Sequence, residues 1–239
     1  MGIRVKGAAL AAALLIVAGV DGRMSAAGST AVNALARLRA GNARFVASPQ
    51  EALPVDAGRR AALTKGETPF ATILSCADSR VPPEIVFHAG LGDLFVVRAA
   101  GNITDKAILA SIEYSVQQLN VPLVVVMGHE SCSTVKAAAD APAGQSAGPN
   151  LDYLINAIRP SVASAASRPE GERLRAAILA NVEESLNDIM TGSAVLREAG
   201  KEGKVVFVGA YYELGTGRAY FSEAVTPPPS EPRSTGGHN

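Results

Sequence analysis

The stretch PLVVVMGHESC at residues 122–132 indicates both the type of fold and the place of the functional residues. It begins with an apolar run rich in valine, which favours a strand that is buried on both faces. The residues that follow, GHESC, are small or polar and include a histidine and a cysteine. We therefore predict a buried strand at 122–127 that leads into a functional loop.

Other apolar runs alternate with amphipathic segments along the chain. They predict strands at 70–74, 94–97 and 205–210, and a C-terminal edge strand at 218–221. Apolar residues at helical spacing predict helices over about 30–48, 56–64, 104–119, 150–165 and 170–199, the last interrupted near Gly192. This alternation indicates an α/β fold. We expect a central, mainly parallel four-stranded sheet with helices on both faces, plus the edge strand.

The composition favours one folded domain and excludes several classes of protein. The chain has 239 residues, of which 48% are hydrophobic, so it can bury a sizeable core. The 22 basic and 22 acidic side chains balance, which argues against a nucleic-acid partner. Two cysteines are too few for a small disulfide-stapled scaffold.

Residues 1–27 have the pattern of a secretory signal peptide. Arg4 and Lys6 precede an uncharged apolar run at 8–20, which is shorter than the about 20 residues of a membrane span but suits a signal core. We expect an exported, periplasmic protein that has no membrane attachment after cleavage. The alternative is that translation starts at Met24 and gives a cytoplasmic product.

The signal peptide leaves residues 28–225 as a single domain. No linker or internal repeat divides this part of the sequence. Residues 226–239 are rich in proline, glycine and serine, and we predict that they are disordered.

Four residues with metal-binding or acid–base chemistry follow two of the predicted strands. Strand 70–74 leads into CADSR, with Cys76 and Asp78, and strand 122–127 leads to His129 and Cys132. The carboxyl ends of neighbouring parallel strands lie at one edge of a sheet, so these side chains converge if the two strands are adjacent. His129 and Cys132 would also share a face if a helix begins there.

These donors favour zinc. Two thiolates and one imidazole suit Zn²⁺ and leave a fourth position for water or for Asp78, so we predict one zinc ion per chain. A disulfide between the cysteines is the main alternative, and a purely structural zinc site is another. A disulfide gives no reason for His129 or for the pair formed by Asp78 and Arg80.

The motif CADSR at 76–80, followed by GHxxC at 128–132, resembles the β-class carbonic anhydrases. The resemblance covers about residues 31–222. Further similar segments occur in the same order: GNARFV at 41–46, RVPPEIVF at 80–87, GDLFVVRAAGN at 92–102, SIEYSV at 111–116 and VGAYYELGTGR at 208–218.

The resemblance implies a reaction and a role for each site residue. Zinc would be held by Cys76, His129 and Cys132. In the active form Asp78 is bonded to Arg80, and in a resting form Asp78 becomes the fourth zinc ligand. The implied activity is the reversible hydration of carbon dioxide to bicarbonate and a proton, by attack of zinc-bound hydroxide.

The resemblance also implies assembly into homodimers or higher even oligomers. In this family the amino-terminal helix packs on the neighbouring subunit. Leu35, Leu38 and Phe45 would serve that contact or, alternatively, the chain's own core.

Positions 88 and 89 also bear on the predicted chemistry. His88 is a candidate proton shuttle, although a surface histidine is the alternative. Ala89 stands where similar family members commonly have a glutamine that donates to the bound substrate.

Two other functions compete with carbon dioxide hydration. One is hydrolysis of carbon disulfide or carbonyl sulfide on the same scaffold. The other is a non-catalytic zinc or redox module in which the two cysteines form a disulfide.

Overall fold

The computed structural model describes residues 26–142 and 144–227, and side chains from Thr30 onward. The helices of this part are α1 (Ala26–Ala47), α2 (Ala57–Leu63), α3 (Pro83–Val86), α4 (Lys106–Gln117), α5 (Ser133–Asp140), α6 (Pro149–Ser164), α7 (Glu170–Gly192) and α8 (Ala194–Lys201). The strands are β1 (Ala71–Cys76), β2 (Leu94–Ala99), β3 (Leu123–His129), β4 (Val206–Tyr212) and β5 (Ala219–Val225). A 3₁₀ turn, Ala100–Asn102, follows β2 directly.

The strands form one sheet in the order β2-β1-β3-β4-β5. The first four run parallel, and β5 pairs with β4 in the antiparallel direction. The predicted α/β class, the parallel four-stranded core and the C-terminal edge strand are therefore confirmed. β1 and β3 are neighbours, with Thr72 opposite Val124, which is the adjacency that the predicted metal site requires.

Both faces of the sheet carry an apolar core. Ile73 and Val125 belong to the core on one side, to which α1, α5 and α6 contribute. Leu74 and Val126 belong to the core on the other side, to which α4 and α8 contribute. Every residue of β1 and β3 is buried, which explains why these strands are almost continuously apolar in sequence.

The strands are longer than predicted, and two short helices were not predicted. β1, β2, β3 and β4 each continue beyond the apolar run that identified them. The helices α3 and α5 span one or two turns, which is too short for a periodic pattern to be recognised. The predicted interruption near Gly192 is confirmed, because Ser193 separates α7 from α8 and caps α8.

The amino-terminal helix contributes to the core of its own chain. Leu38 is completely buried and belongs to the core of this chain, whereas Leu35 and Phe45 are partly buried against it. The alternative that these residues serve the chain's own core is therefore correct for Leu38.

The predicted terminal segments lie mostly outside the described residues. Ala26 and Ala27 of the predicted signal peptide begin α1, and Thr226 and Pro227 follow β5. In the described part of the chain, no helix combines the length and the apolar character needed to cross a membrane.

Candidate metal centre

Three potential zinc ligands converge at the carboxyl edge of the sheet. Cys76 is the last residue of β1, His129 is the last residue of β3, and Cys132 immediately precedes α5. Their ligand atoms all lie within 4.8 Å of one another, and all three residues are buried. The convergence predicted from the adjacency of the two strands is therefore present.

The condition under which His129 and Cys132 would share a helix face is not met. The helix begins only at Ser133, so the two ligands do not lie on a common helix face. Ser131 instead adopts a left-handed conformation with φ of 52°. This conformation is uncommon for a residue other than glycine, and the tight turn that contains it brings Cys132 back toward His129.

The separation of the sulfur atoms fits a zinc ion. Cys76 Sγ and Cys132 Sγ are 4.0 Å apart, and both cysteines are free. Two Zn–S bonds of about 2.3 Å at a tetrahedral angle separate their sulfurs by about 3.8 Å. A disulfide would need about 2.05 Å.

The imidazole of His129 is also oriented as a metal ligand. Its Nδ1 lies 2.9 Å from the carbonyl oxygen of Glu130. A carbonyl only accepts hydrogen bonds, so Nδ1 carries the proton and Nε2 keeps a free lone pair. Nε2 is buried and has no hydrogen-bond partner. Such an unpartnered buried nitrogen is costly, and a zinc ion would satisfy it.

Backbone N–H groups favour the thiolate form of both cysteines. Cys76 Sγ accepts a hydrogen bond of 3.2 Å from the Gly101 amide. Cys132 Sγ accepts from the amides of Thr134 and Val135, at the positive end of α5. The two sulfurs also share a hydrogen bond, which lowers the pKa of Cys76 and raises the pKa of Cys132. Cys76 is therefore readily deprotonated, and the thiolate is the form that binds zinc.

A bidentate ion pair lies beside these ligands. Asp78 Oδ1 accepts from Arg80 Nε at 2.9 Å, and Asp78 Oδ2 accepts from Arg80 Nη2 at 2.7 Å. These hydrogen bonds from Arg80 hold the pKa of Asp78 well below its usual range, so the carboxylate is ionised. Arg80 Nη2 also donates to the carbonyl of Ser131, which links the loops after β1 and β3.

Arg98 was not among the predicted site residues, although it holds the loop that carries two of them. From β2, its Nε donates to the carbonyl of Cys76 at 3.0 Å and its Nη2 to the carbonyl of Asp78 at 2.6 Å. In the sequence, its local signal is a charged residue within an otherwise apolar strand. That signal does not reveal the carbonyl groups to which the guanidinium donates.

His88 is not a surface histidine. Its side chain is 6% exposed, and Nε2 lies 3.7 Å from Oε1 of Glu51, a half-exposed carboxylate. Ala89 is buried, and its N–H donates to the carbonyl of Glu84 at 2.8 Å. Neither the methyl group nor the amide of Ala89 is therefore available to replace a substrate-binding glutamine.

Comparisons with known proteins agree on one family. A family model described as carbonic anhydrase matches residues 71–219. Carbonic anhydrase 2 of Mycobacterium tuberculosis is 40% identical over 190 residues, covering 79% of this chain and 91% of that protein. The β-carbonic anhydrase CafA of Aspergillus fumigatus superposes with a TM-score of 0.63 at 26% identity, covering 82% of this chain and 92% of CafA. A tetrameric β-carbonic anhydrase of Sordaria macrospora gives a TM-score of 0.62 at 25% identity, covering 82% of this chain and 98% of that chain.

Proposed function

This chain belongs to the β-class carbonic anhydrase family, and on that premise we propose how its residues carry out the reversible hydration of carbon dioxide. One observation carries the assignment of the site. The sulfurs of Cys76 and Cys132 and the free Nε2 of His129 meet beside an ionised Asp78 at the carboxyl edge of the sheet.

Zinc is the cofactor of this family, and we assign its ligands to Cys76, His129 and Cys132. When bound, zinc lowers the pKa of water toward about 7, which provides a nucleophile for carbon dioxide near neutral pH. The residues that surround the ligands keep them in place. The Glu130 carbonyl fixes the tautomer of His129, and backbone amides support both sulfurs.

We assign to Asp78 the orientation of the attacking water. Its Oδ2 lies 3.9 Å from His129 Nε2, so the carboxylate lies next to the ligand cluster. An ionised carboxylate only accepts hydrogen bonds, and it therefore turns a water hydrogen toward itself and an oxygen lone pair toward the substrate carbon. Arg80 maintains this by keeping Asp78 ionised and by fixing both of its oxygens.

The hydration releases a proton, and we assign its transfer to His88 and Glu51. Histidine is the side chain best suited to accept and release a proton near neutral pH. The side chain of His88 is 6% exposed and that of Glu51 is 47% exposed, so a proton received by His88 would pass through Glu51 to solvent.

This chain also has surface available for assembly with further copies of itself. Solved relatives from Sordaria macrospora are tetrameric, and we propose that this chain forms a homodimer or a higher even oligomer. Val32 on α1 is 55% exposed and is available for such a contact. Light scattering coupled to size-exclusion chromatography should give an even multiple of the chain mass. A monomer would contradict this assignment.

We also propose that the protein is exported to the periplasm. The basic residues and the apolar run in the first 27 residues support this. Expression of the full-length chain in a Gram-negative host should yield a product in the periplasmic fraction that lacks its first residues by amino-terminal sequencing. A full-length product that stays in the cytoplasm would contradict export.

The hydration reaction itself is tested with purified protein. Elemental analysis should give one zinc ion per chain, and stopped-flow mixing with carbon dioxide and a pH indicator should show rapid acidification. A zinc-loaded protein without hydration activity would refute the function.

A further inference from the structure

Helix α7 carries a buried polar cluster that contacts the 3₁₀ turn after β2. Asn181 and Ser185 are 2% and 3% exposed, and Asn102 of the turn is 2% exposed. Asn181 Nδ2 donates to the Gly101 carbonyl at 2.7 Å. Ser185 Oγ lies 2.9 Å from the Asn102 carbonyl, and Asn102 Nδ2 donates to Ser185 Oγ at 3.3 Å. Asn181 therefore holds the Gly101 carbonyl. The single hydroxyl proton of Ser185 is shared between the carbonyls of Asn102 and Asn181, at 2.9 and 2.8 Å, so Ser185 holds the turn less firmly.

The same turn donates to a candidate zinc ligand. The N–H of Gly101 lies 3.2 Å from Cys76 Sγ. Gly101 and Asn102 are both left-handed, with φ of 66° and 47°. A larger residue at position 101 would strain this left-handed backbone, and its Cβ, 2.6 Å from Ile158 Cδ1, would also displace the end of that side chain.

We propose that Asn181 is a positioning residue for the zinc thiolate, which acts on Cys76 through the peptide groups of Gly101. The N–H of Gly101 is held by the sulfur, and its carbonyl is held by Asn181. The two groups belong to different peptide planes, so Asn181 acts by fixing the turn as a whole, and without it the turn, together with the N–H that faces the sulfur, is free to shift. The side chain on α7 thereby sets the hydrogen bond that Cys76 receives.

The chemistry of the cluster supports this role over simple packing. A buried amide side chain is costly unless it is hydrogen-bonded, and an apolar residue at position 181 would pack in the core without that requirement. An N–H···S hydrogen bond withdraws electron density from a thiolate and fixes its direction. Groups that support a metal ligand in this way commonly affect metal affinity by about 10–100-fold.

The test uses full-length variants, purified and loaded with metal. Asn181→Ala should weaken zinc binding about tenfold in competition with a chelating dye. In the cobalt(II)-substituted protein, it should move the thiolate-to-cobalt charge-transfer band to longer wavelength, because loss of the N–H···S hydrogen bond raises the energy of the sulfur lone pair. Ser185→Ala, a smaller change to the same cluster, should shift the band in the same direction by less.

The matched control is Ser193→Ala. Ser193 is also a buried serine, 2% exposed, but it caps α8 and contacts Glu113 instead of the turn. It should lower thermal stability and leave the zinc affinity and the cobalt spectrum unchanged. If Ser193→Ala shifts the band as much as Asn181→Ala, or if both cluster variants keep the wild-type spectrum and affinity, the positioning role is wrong. If Asn181→Ala does not fold, Ser185→Ala decides by the same two measurements.

The inference rests on the proposed zinc site, and the two fail in different ways. Wild-type protein that binds neither zinc nor cobalt would refute the site itself. Wild-type protein that binds both metals, with cluster variants identical to it, would refute only the role of Asn181.

Discussion

Asp78 Oδ2 lies 3.9 Å from His129 Nε2, while the same oxygen accepts a hydrogen bond of 2.7 Å from Arg80. The carboxylate is therefore adjacent to the ligand cluster but is held by the guanidinium. This is the arrangement that the family resemblance implies for the active form, in which the fourth zinc position is left to water. The resemblance implies direct ligation of zinc by Asp78 only for a resting form.

Loss of the Asp78–Arg80 pair should reduce hydration without unfolding the protein. We expect Asp78→Ala to lower kcat/KM about 100-fold, because no acceptor then orients the attacking water. Arg80→Lys should also lower it, since one ammonium cannot form two parallel hydrogen bonds with the carboxylate. Stopped-flow hydration assays with zinc-loaded protein measure both effects.

Arg59→Ala is the control for this prediction. Arg59 forms another arginine–aspartate pair, at 3.1 Å with Asp93, away from the ligand cluster. Its removal should leave kcat/KM within about twofold of the wild-type value, as expected for a pair that only stabilises local structure. Equal losses in Arg59→Ala and Arg80→Lys would argue against a role for Arg80 in the reaction.

Arg98→Ala should lower activity, because the loop that follows β1 is then held less firmly. Arg98 donates to the carbonyls of Cys76 and Asp78, so its loss frees the backbone between a ligand and the orienting carboxylate. We expect zinc content to stay at one per chain and kcat to fall about tenfold, because small misplacements of reacting groups are costly. The matched control for Arg98→Ala is Arg197→Ala, because Arg197 also donates to backbone carbonyls, those of Met190 and Thr191. This control should leave kcat unchanged. Unchanged kcat in Arg98→Ala would contradict the prediction.

The fold and the cluster of candidate metal ligands could be predicted from sequence because their signals are local. Continuous apolar runs identified the strands, and Cys76 and His129 follow two of those runs. The left-handed turn at Ser131 could not be predicted, because its conformation is set by the surrounding contacts. Asn181 also lacks a local signal, since its hydrogen bond to Gly101 joins residues 80 positions apart.

Removal of zinc should destabilise the protein and expose the cysteines to oxidation. Metal binding only to the folded state adds about 3 kcal/mol when zinc is at 100 times its dissociation constant. After chelation, the two sulfurs at 4.0 Å should be close enough to be joined by a mild oxidant such as diamide. Thiol titration should then give two free thiols in the zinc-loaded protein and none in the chelated, oxidised protein. Equal oxidation of both forms would show that zinc does not bind these sulfurs.

Stability at alkaline pH should depend on Tyr211. Burial raises the pKa of Tyr211 above its ordinary value near 10. The folded state therefore favours the neutral phenol, and this contribution is fully present below about pH 10 and is lost as pH rises further. Urea unfolding at pH 9 and pH 11 should show a smaller alkaline loss for Tyr211→Phe than for wild type. Tyr220, its cross-strand partner, is 49% exposed, and Tyr220→Phe should behave as wild type.

The proton-transfer role of His88 predicts a loss that depends on buffer. Proton release follows the reaction with carbon dioxide, so His88→Ala should lower kcat about tenfold in dilute buffer and leave kcat/KM unchanged. Imidazole at high concentration can accept the proton directly and should restore kcat.

Glu51→Gln separates proton transfer from a structural effect at the same place. It keeps the size of the side chain beside His88 but removes the carboxylate. A smaller decrease in kcat, also restored by imidazole, would support transfer through the pair. Loss of kcat/KM in His88→Ala, or a decrease in kcat that imidazole does not restore, would instead assign His88 to the structure of its loop. The left-handed backbone of His88, with φ of 45°, makes His88→Asn a useful second variant, because asparagine tolerates that conformation and cannot carry the proton near neutral pH.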